Sequence, residues 1–183
     1  SYDADKVVAL MYARYVNASR QRIRGVDLTG SYRFETGAGR LTVRGSMSRL
    51  NSSQQTSVLQ GAYDLAGTLH NPAKLNGRAG AVWDRDGLTA SVFANYVGGV
   101  TNTLDGRKGG SFTTVDATLR YSTGTSAGHW SGLEISLLAQ NLLNRAPPVY
   151  IPPPTAAVYR VPYDSTNYSA IGRYVVLSVS KQW

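Results

Sequence analysis

The chain has 183 residues, a length suited to one domain with a substantial core. It contains no cysteine, which excludes a disulfide framework and thiolate metal sites. The formal charge is +8, because fifteen arginines and four lysines stand against nine aspartates and two glutamates. Such an excess favours an anionic partner, among which nucleic acid, lipopolysaccharide, lipid headgroups and an acidic ligand stay open. Mean hydropathy is −0.23, which is also compatible with a membrane β-barrel, where only alternate residues face lipid.

The first predicted element lies in residues 3–13, "DADKVVALMYA". A short helix capped by an aspartate would place Val7 and Met11 on one face. A strand fits too, since alternate residues from Val8 are also apolar or aromatic. We expect the helix, so that residues 1–19 form a loop or short-helix lead-in.

From residue 20 onward, apolar and polar residues alternate with a period of two, which is typical of half-buried strands. In one segment, for example, Leu41, Val43 and Met47 alternate with Thr42 and Arg44. The fold class predicted is all-β, an antiparallel up-and-down meander of about seven strands. They lie at residues 26–34, 40–48, 74–83, 88–96, 114–121, 133–140 and 171–183.

The connections between these strands alternate in length. On one side they are short and rich in glycine and aspartate, at residues 35–39, 84–87 and 122–131. On the other side they are long, at about residues 51–73, 98–111 and 143–169, and the last includes a stiff proline-rich stretch, 147–154. Short connections on one side and long ones on the other are how outer-membrane barrels are built.

Aromatic residues follow the same division, since they flank the short connections or lie at the matching end of the last strand. Six aromatics at one level of a sheet predict an interfacial girdle at a membrane–water boundary. These residues are Tyr32, Phe34, Trp83, Tyr121, Trp130 and Trp183.

Alternation alone leaves open whether the apolar face lies outside against lipid or inside a soluble barrel. If the polar face is the lumen, seven charged residues contact lumen water and one another: Asp27, Arg33, Arg44, Arg78, Asp116, Arg120 and Glu134. Seven strictly antiparallel strands cannot close on themselves, because the first and last would be parallel. The odd count therefore predicts part of a larger barrel, unless residues 7–16 supply an eighth strand.

Four segments, in order, resemble the C-terminal part of TonB-dependent outer-membrane receptors. Residues 15–34 resemble that family's Asn…Gly-Val-Glu strand start, residues 113–121 and 133–145 its next strands, and residues 163–183 its final strand with a terminal aromatic. Two positions depart from the pattern: Asp27 replaces the usual glutamate, and Lys181 stands where an apolar residue is commoner. The residues carrying the resemblance are Asn17, Gly25, Val26, Asp27, Asn141, Leu142, Asn144, Gly172 and Arg173.

The resemblance implies a barrel of about 22 strands, of which residues 1–183 form the C-terminal third, with the plug domain and TonB-contacting box absent. It implies a location in the outer membrane of a Gram-negative bacterium. The implied function is to form barrel wall and extracellular loops for TonB-dependent uptake of a scarce ligand, an iron chelate such as a siderophore complex. The implied partners are outer-membrane lipid, the rest of the barrel and plug, and a small-molecule ligand, with TonB reached only through the N-terminal part.

Residues suited to catalysis are few. His70 and His129 both lie in predicted connections, so we expect solvated side chains and no metal site. The "GRKGG" stretch at 106–110 lacks the serine or threonine of a phosphate loop. Aspartates of "YDLAG" and "WDRDG" lie at turns, where they usually bond their own backbone. We therefore expect no enzyme activity and no cofactor.

Ligand-contact residues are expected on the long loops, because binding residues usually lie on loops carried by a rigid scaffold. Arginine, lysine and tyrosine on two of these loops suit an anionic or aromatic ligand. The predicted contacts are Arg107, Lys108, Tyr150, Tyr159, Arg160 and Tyr163.

Two alternatives stay open. One is a small, complete eight-stranded outer-membrane barrel that uses residues 7–16 as a strand. The other is a soluble β-sheet binding module. We expect no nucleic acid, because the arginines alternate with Asp, Ser and Thr rather than interleaving with aromatics.

Overall fold

The computed structural model describes residues 20–57, 59–103, 105–124, 128–150 and 161–182. It confirms the antiparallel meander of seven strands, paired in the order β1 to β7. Within the described residues, β1 pairs only with β2 and β7 only with β6, so the sheet is open. The strands are β1 (Arg20–Thr36), β2 (Gly39–Gln55), β3 (Leu75–Arg85), β4 (Leu88–Val97), β5 (Phe112–Ser122), β6 (Leu133–Gln140) and β7 (Tyr174–Lys181), with one 3-10 turn at Gly128–Trp130.

The first two strands are longer than predicted. Each has 17 residues, and their pairing extends to Arg20 opposite Gln55, so the predicted loop start at residue 51 is wrong. The sequence signal fades there because both strands become mostly polar on both faces, although the backbone ladder continues. The predicted helix at 3–13 and the optional strand at 7–16 lie outside the described residues. Among the described residues, no helix is long and apolar enough to cross a membrane.

One face of the sheet is apolar from β1 to β7. The register places Tyr32, Val43, Ala81, Val92 and Ala117 side by side across five strands. The larger side chains of this face remain exposed, to 71% at Val26 and 67% at Leu177. An uncovered apolar surface spanning a whole sheet marks an interaction surface in water or a lipid-facing wall.

The opposite face carries all seven charges predicted to share it, which the strand register confirms. At its centre, Asp116 accepts a hydrogen bond from Asn95 Nδ2 at 2.7 Å and lies 3.4 Å from an Arg78 nitrogen. The Arg78 guanidinium also lies 4.5 Å from the Phe93 ring centroid and donates to Asn95 Oδ1. Opposite charges on this face therefore compensate one another across strands.

The tight turn between β3 and β4 shows why aspartate and glycine stand there. Asp86 and Gly87 have φ values of 47° and 82°, both in the left-handed region. Positive φ at both central residues is the signature of a type I′ turn, whose twist matches that of the paired strands. The turn thus fixes the register of these two strands.

The buried hydrophobic side chains of the described residues lie at the long-loop end rather than on either face of the sheet. They are Ala66, Ala73, Val100, Phe112 and Tyr168. The long loops therefore have a small core of their own, which holds them in a defined arrangement above the strands.

Candidate functional site

The described parts of three long connections, within residues 56–74, 98–111 and 141–173, meet at one end of the sheet. The first two are joined by a parallel bridge between Thr68 and Thr101. Thr101 N donates to Gly67 O at 2.8 Å, and Gly109 N donates to Val100 O at 2.8 Å. We call this assembly the loop cluster.

Asp164 holds the third connection to the first. Its side chain is fully buried and accepts hydrogen bonds from His70 N at 3.2 Å, Thr166 N at 3.0 Å and Asn167 Nδ2 at 2.8 Å. His70 Nδ1 lies 3.7 Å from the same carboxylate. Backbone N–H groups and an amide thus satisfy a carboxylate whose burial would otherwise be costly.

Asn167 and Tyr168, a few residues after Asp164, also tie the third connection to the other two. Asn167 Oδ1 accepts from Ala73 N at 2.9 Å, and its Nδ2 also lies 2.6 Å from Asn71 O. Tyr168 donates its hydroxyl hydrogen to Gly98 O at 2.9 Å. Burial raises the pKa of this hydroxyl, so it stays protonated and able to donate.

The asparagines at the end of β6 tie the start of its following loop to the loop's end. Asn141 and Asn144 have φ values of 47° and 51°, which end the strand in a tight turn. Asn144 Oδ1 accepts from Arg173 N at 2.9 Å, immediately before β7. A Cβ at Gly172 would lie 2.7 Å from that oxygen, so glycine is required for this contact. The Asn-Leu and Gly-Arg elements of the sequence therefore meet in space.

Asp64 organises the connection between β2 and β3. Lys74 Nζ lies 2.5 Å from its carboxylate, and Ser52 N and Ala66 N donate to it at 3.3 and 3.1 Å. The hydrogen bond from Lys74 is the main reason that the pKa of Asp64 lies below its ordinary value. The contact with Ala66 N confirms that this aspartate bonds its own turn.

Two cavities adjoin the last connection. One, of about 660 Å³, is formed by Tyr163 and residues 165–171. The other, of about 290 Å³, lies against the polar face of the sheet, where Asn95, Asp116 and Gln140 form part of its wall. Asn167, Ser169 and Ile171 line both cavities, so this segment forms a partition between them.

The predicted ligand-contact residues lie in different settings. Arg107 and Lys108 are exposed, and Arg107 Nε lies 3.7 Å from Asp105. Tyr163 lines the larger cavity. Tyr150 is partly buried; its hydroxyl oxygen is buried against Gly109, and burial raises its pKa. Tyr159 and Arg160 lie outside the described residues.

The predicted girdle residues that are described lie at the short-turn end. Phe34 and Trp83 share one row of the register through Leu41, and Tyr32 contacts Phe34 edge-on with ring centroids 4.6 Å apart. Trp83 Nε1 donates to Ala38 O at 3.1 Å, in the β1–β2 turn. Tyr121 and Trp130 are exposed at or next to the β5–β6 connection. Trp183 lies outside the described residues.

A family model described as "TonB dependent receptor-like, beta-barrel" matches residues 2–142. The chain belongs to this family. No curated protein and no solved structure matches the chain.

The family is one of outer-membrane receptors and transporters rather than of enzymes. In this TonB-dependent receptor barrel, the described residues contain no group of three or more histidine, cysteine or acidic side chains able to hold a metal ion. The loop cluster and the two cavities beside it lie at the long-loop end of the same residues.

Sequence reasoning missed Asp164 and placed His70 among solvated residues. His70 is half-exposed, but its backbone and ring both face the buried carboxylate. The "YDSTNY" stretch does carry a local signal, since an aspartate followed by threonine and asparagine suits an Asx turn. Its partner is 94 residues away, which no local pattern indicates.

Proposed function

We propose that this chain forms the C-terminal part of the barrel wall and the long extracellular loops of an outer-membrane receptor, with TonB-dependent uptake of an iron chelate as its function. In this proposal residues 1–183 form one portion of a larger transmembrane barrel, which a plug domain and further strands complete. TonB acts on the plug side of the receptor, away from these strands.

The observation that carries the proposal is the pairing of an uncovered apolar face with a charged opposite face. A tilted strand of about 9 to 11 residues crosses a bilayer, and β3, β4 and β5 have 11, 10 and 11 residues. An arginine facing lipid at mid-bilayer would cost about 2–4 kcal/mol. The shared polar face of Arg44, Arg78 and Arg120 avoids that cost if it faces the lumen.

Orientation follows from the connections. Outer-membrane barrels have short periplasmic turns and long extracellular loops, so in this proposal the loop cluster faces the cell exterior. The girdle residues Tyr32, Phe34, Trp83, Tyr121, Trp130 and Trp183 would then lie at the periplasmic boundary of the membrane.

Within the loop cluster, Arg107, Lys108 and Tyr163 are accessible to a ligand, and the side chain of Arg107 is 76% exposed. Exposed cationic groups on one loop of the cluster and an open cavity of about 660 Å³ on another suit an anionic chelate of moderate size. Tyr150 would act by positioning Gly109 rather than through its buried hydroxyl.

The test is uptake of radioactive iron by cells that carry the full-length receptor, supplied as ferric catecholate and ferric hydroxamate complexes. We expect uptake of at least one class, and its loss when TonB is deleted. Uptake of neither, or uptake independent of TonB, would contradict the proposal. Alanine at Arg107, Lys108, Tyr150, Tyr159, Arg160 and Tyr163 together should weaken ligand binding; unchanged affinity would remove these residues from the site.

A further inference from the structure

Four arginines lie at the long-loop end of β1 and β2, on the same face of the sheet as the apolar side chains. Arg20, Arg22 and Arg24 continue the side of β1 that carries Val26, and Arg49 lies directly opposite Val26. We call these four residues the outer arginine cluster. Their cross-strand neighbours are neutral hydrogen-bonding side chains: Gln55 opposite Arg20, Ser53 opposite Arg22 and Asn51 opposite Arg24.

Within the part of the chain that the structure describes, no acidic side chain pairs with this cluster. All four arginines are exposed, and their side chains form no ion pair or hydrogen bond with other described residues. Arg24 and Arg49 are diagonal neighbours, which places their Cβ atoms about 7 Å apart. Like charges at that spacing repel one another, so the arrangement favours a bound anion.

The cluster begins where the apolar surface of these strands ends. Strand geometry places Arg24 about 7 Å and Arg20 about 20 Å beyond Val26 along the strand. With a tilt of about 45°, these distances become roughly 5 and 14 Å of height above the apolar band. The interfacial region of a bilayer leaflet is about 5–7 Å thick, so Arg24 lies at the headgroup level, Arg20 lies beyond it, and Arg49 lies at the edge of the apolar band.

An apolar groove lies on the same face of the sheet, next to Val26 and Arg49 in the direction of the short turns. It has a volume of about 640 Å³ and is lined almost entirely by apolar atoms, including those of Leu28, Met47 and Tyr96. Its floor is open because the register brings Gly30 and Gly45 opposite each other, and a Cβ at either position would meet nothing within 4 Å. The groove is thus on the same face as the arginines and reaches the Arg49 row through Leu75, the residue opposite Arg49.

From these two features we propose that the outward face of β1 and β2 binds one phosphorylated glycolipid of the outer leaflet, with an acyl chain in the apolar groove and phosphates on the outer arginine cluster. The inference rests on the proposed membrane placement. Guanidinium groups bind phosphate in bidentate fashion, and their spread over several heights suits a headgroup with more than one phosphate. It also accounts for part of the chain's excess positive charge.

The test uses full-length receptor purified in neutral detergent and titrated with bisphosphorylated lipid A, with bound lipid counted by native mass spectrometry. The variant is Arg24→Gln with Arg49→Gln, and the matched control is Arg33→Gln with Arg44→Gln, on the same strands but the opposite face. Each arginine near a charged headgroup contributes roughly a five- to sixfold change in affinity, so we expect roughly 30-fold weaker binding for the outward pair. The control pair should bind as the parent does.

A second variant, Gly45→Leu, tests the groove without changing charge. The leucine enters open space, so folding should be unaffected while the acyl chain is displaced and lipid A binding weakens several-fold. Equal binding of lipid A stripped of its phosphates, equal losses in outward and control pairs, or unchanged binding in the Gly45→Leu variant would each overturn the proposed lipid site. A receptor that does not insert into bilayers would instead contradict the proposed function, so insertion is measured first by flotation with liposomes.

Discussion

Replacing Asp164 by alanine should loosen the loop cluster while leaving the sheet intact. The carboxylate accepts three hydrogen bonds, from His70 N, Thr166 N and Asn167 Nδ2, and has no exposed surface. Each donor that loses its acceptor costs about 1–3 kcal/mol when it stays buried. Since His70 and Thr166 are partly accessible to water, we take the lower bound, which sums to about 3 kcal/mol for loop opening.

Amide hydrogen exchange of the full-length receptor measures this opening directly. A change of about 3 kcal/mol corresponds to roughly 100-fold faster exchange. It should appear at Ala73 N, which is held by Asn167, and at Thr101 N, which is held by the adjoining loop. Amides within β4, such as that of Val92, should keep their rates because the sheet ladder is separate from the cluster.

The matched control is Asp105→Ala, which removes an exposed aspartate that accepts from Arg107 N in the same cluster. An exposed contact of this kind is worth about 1 kcal/mol or less, so exchange at Ala73 should change less than roughly fivefold. Unchanged exchange at Ala73 and Thr101 in the Asp164 variant, or acceleration equal to that of the control, would refute the structural role assigned to Asp164.

Three further changes probe the same loops. Gly172→Ala should displace the Asn144 side chain and lower the protection of the backbone amide that Asn144 holds by about 1–2 kcal/mol, which is measured as faster hydrogen exchange. Gly61→Ala adds a Cβ that meets nothing and should leave exchange unchanged. Tyr168→Phe removes a buried hydroxyl donor and should destabilise the loop cluster by about 1 kcal/mol, measured in the same exchange experiment. Loss of protection that is larger in the sheet than in the loop cluster would contradict this role of Tyr168. Folding lowers the pKa of Asp64 from its ordinary value of 3.8. The stability that the ionised carboxylate contributes is therefore present above pH 3.8 and is lost as the pH falls through the lowered pKa. This acid-induced loss of stability should be smaller in Asp64→Asn.

The number of strands, their order and the faces of their side chains were predictable because they depend on local alternation. Asp86-Gly87 likewise marks its turn locally, since left-handed φ values favour these residues. Prediction failed at the outer parts of β1 and β2, where Arg20–Arg24 pair with polar residues and the alternation carries no apolar signal. Pairing there is set by the ladder that starts at the β1–β2 turn.

The sequence by itself therefore determined the sheet, its polar and apolar faces and its two unequal ends, since each needs information from neighbouring residues only. The tertiary structure decided what lies at the long-loop end. Asp164 meets His70 across 94 residues, and Asn144 meets Gly172 only once β6 and β7 pair. The outer arginine cluster likewise exists because the register sets Arg49 opposite Val26. Contacts between distant segments depend on register and loop packing, which local periodicity does not encode.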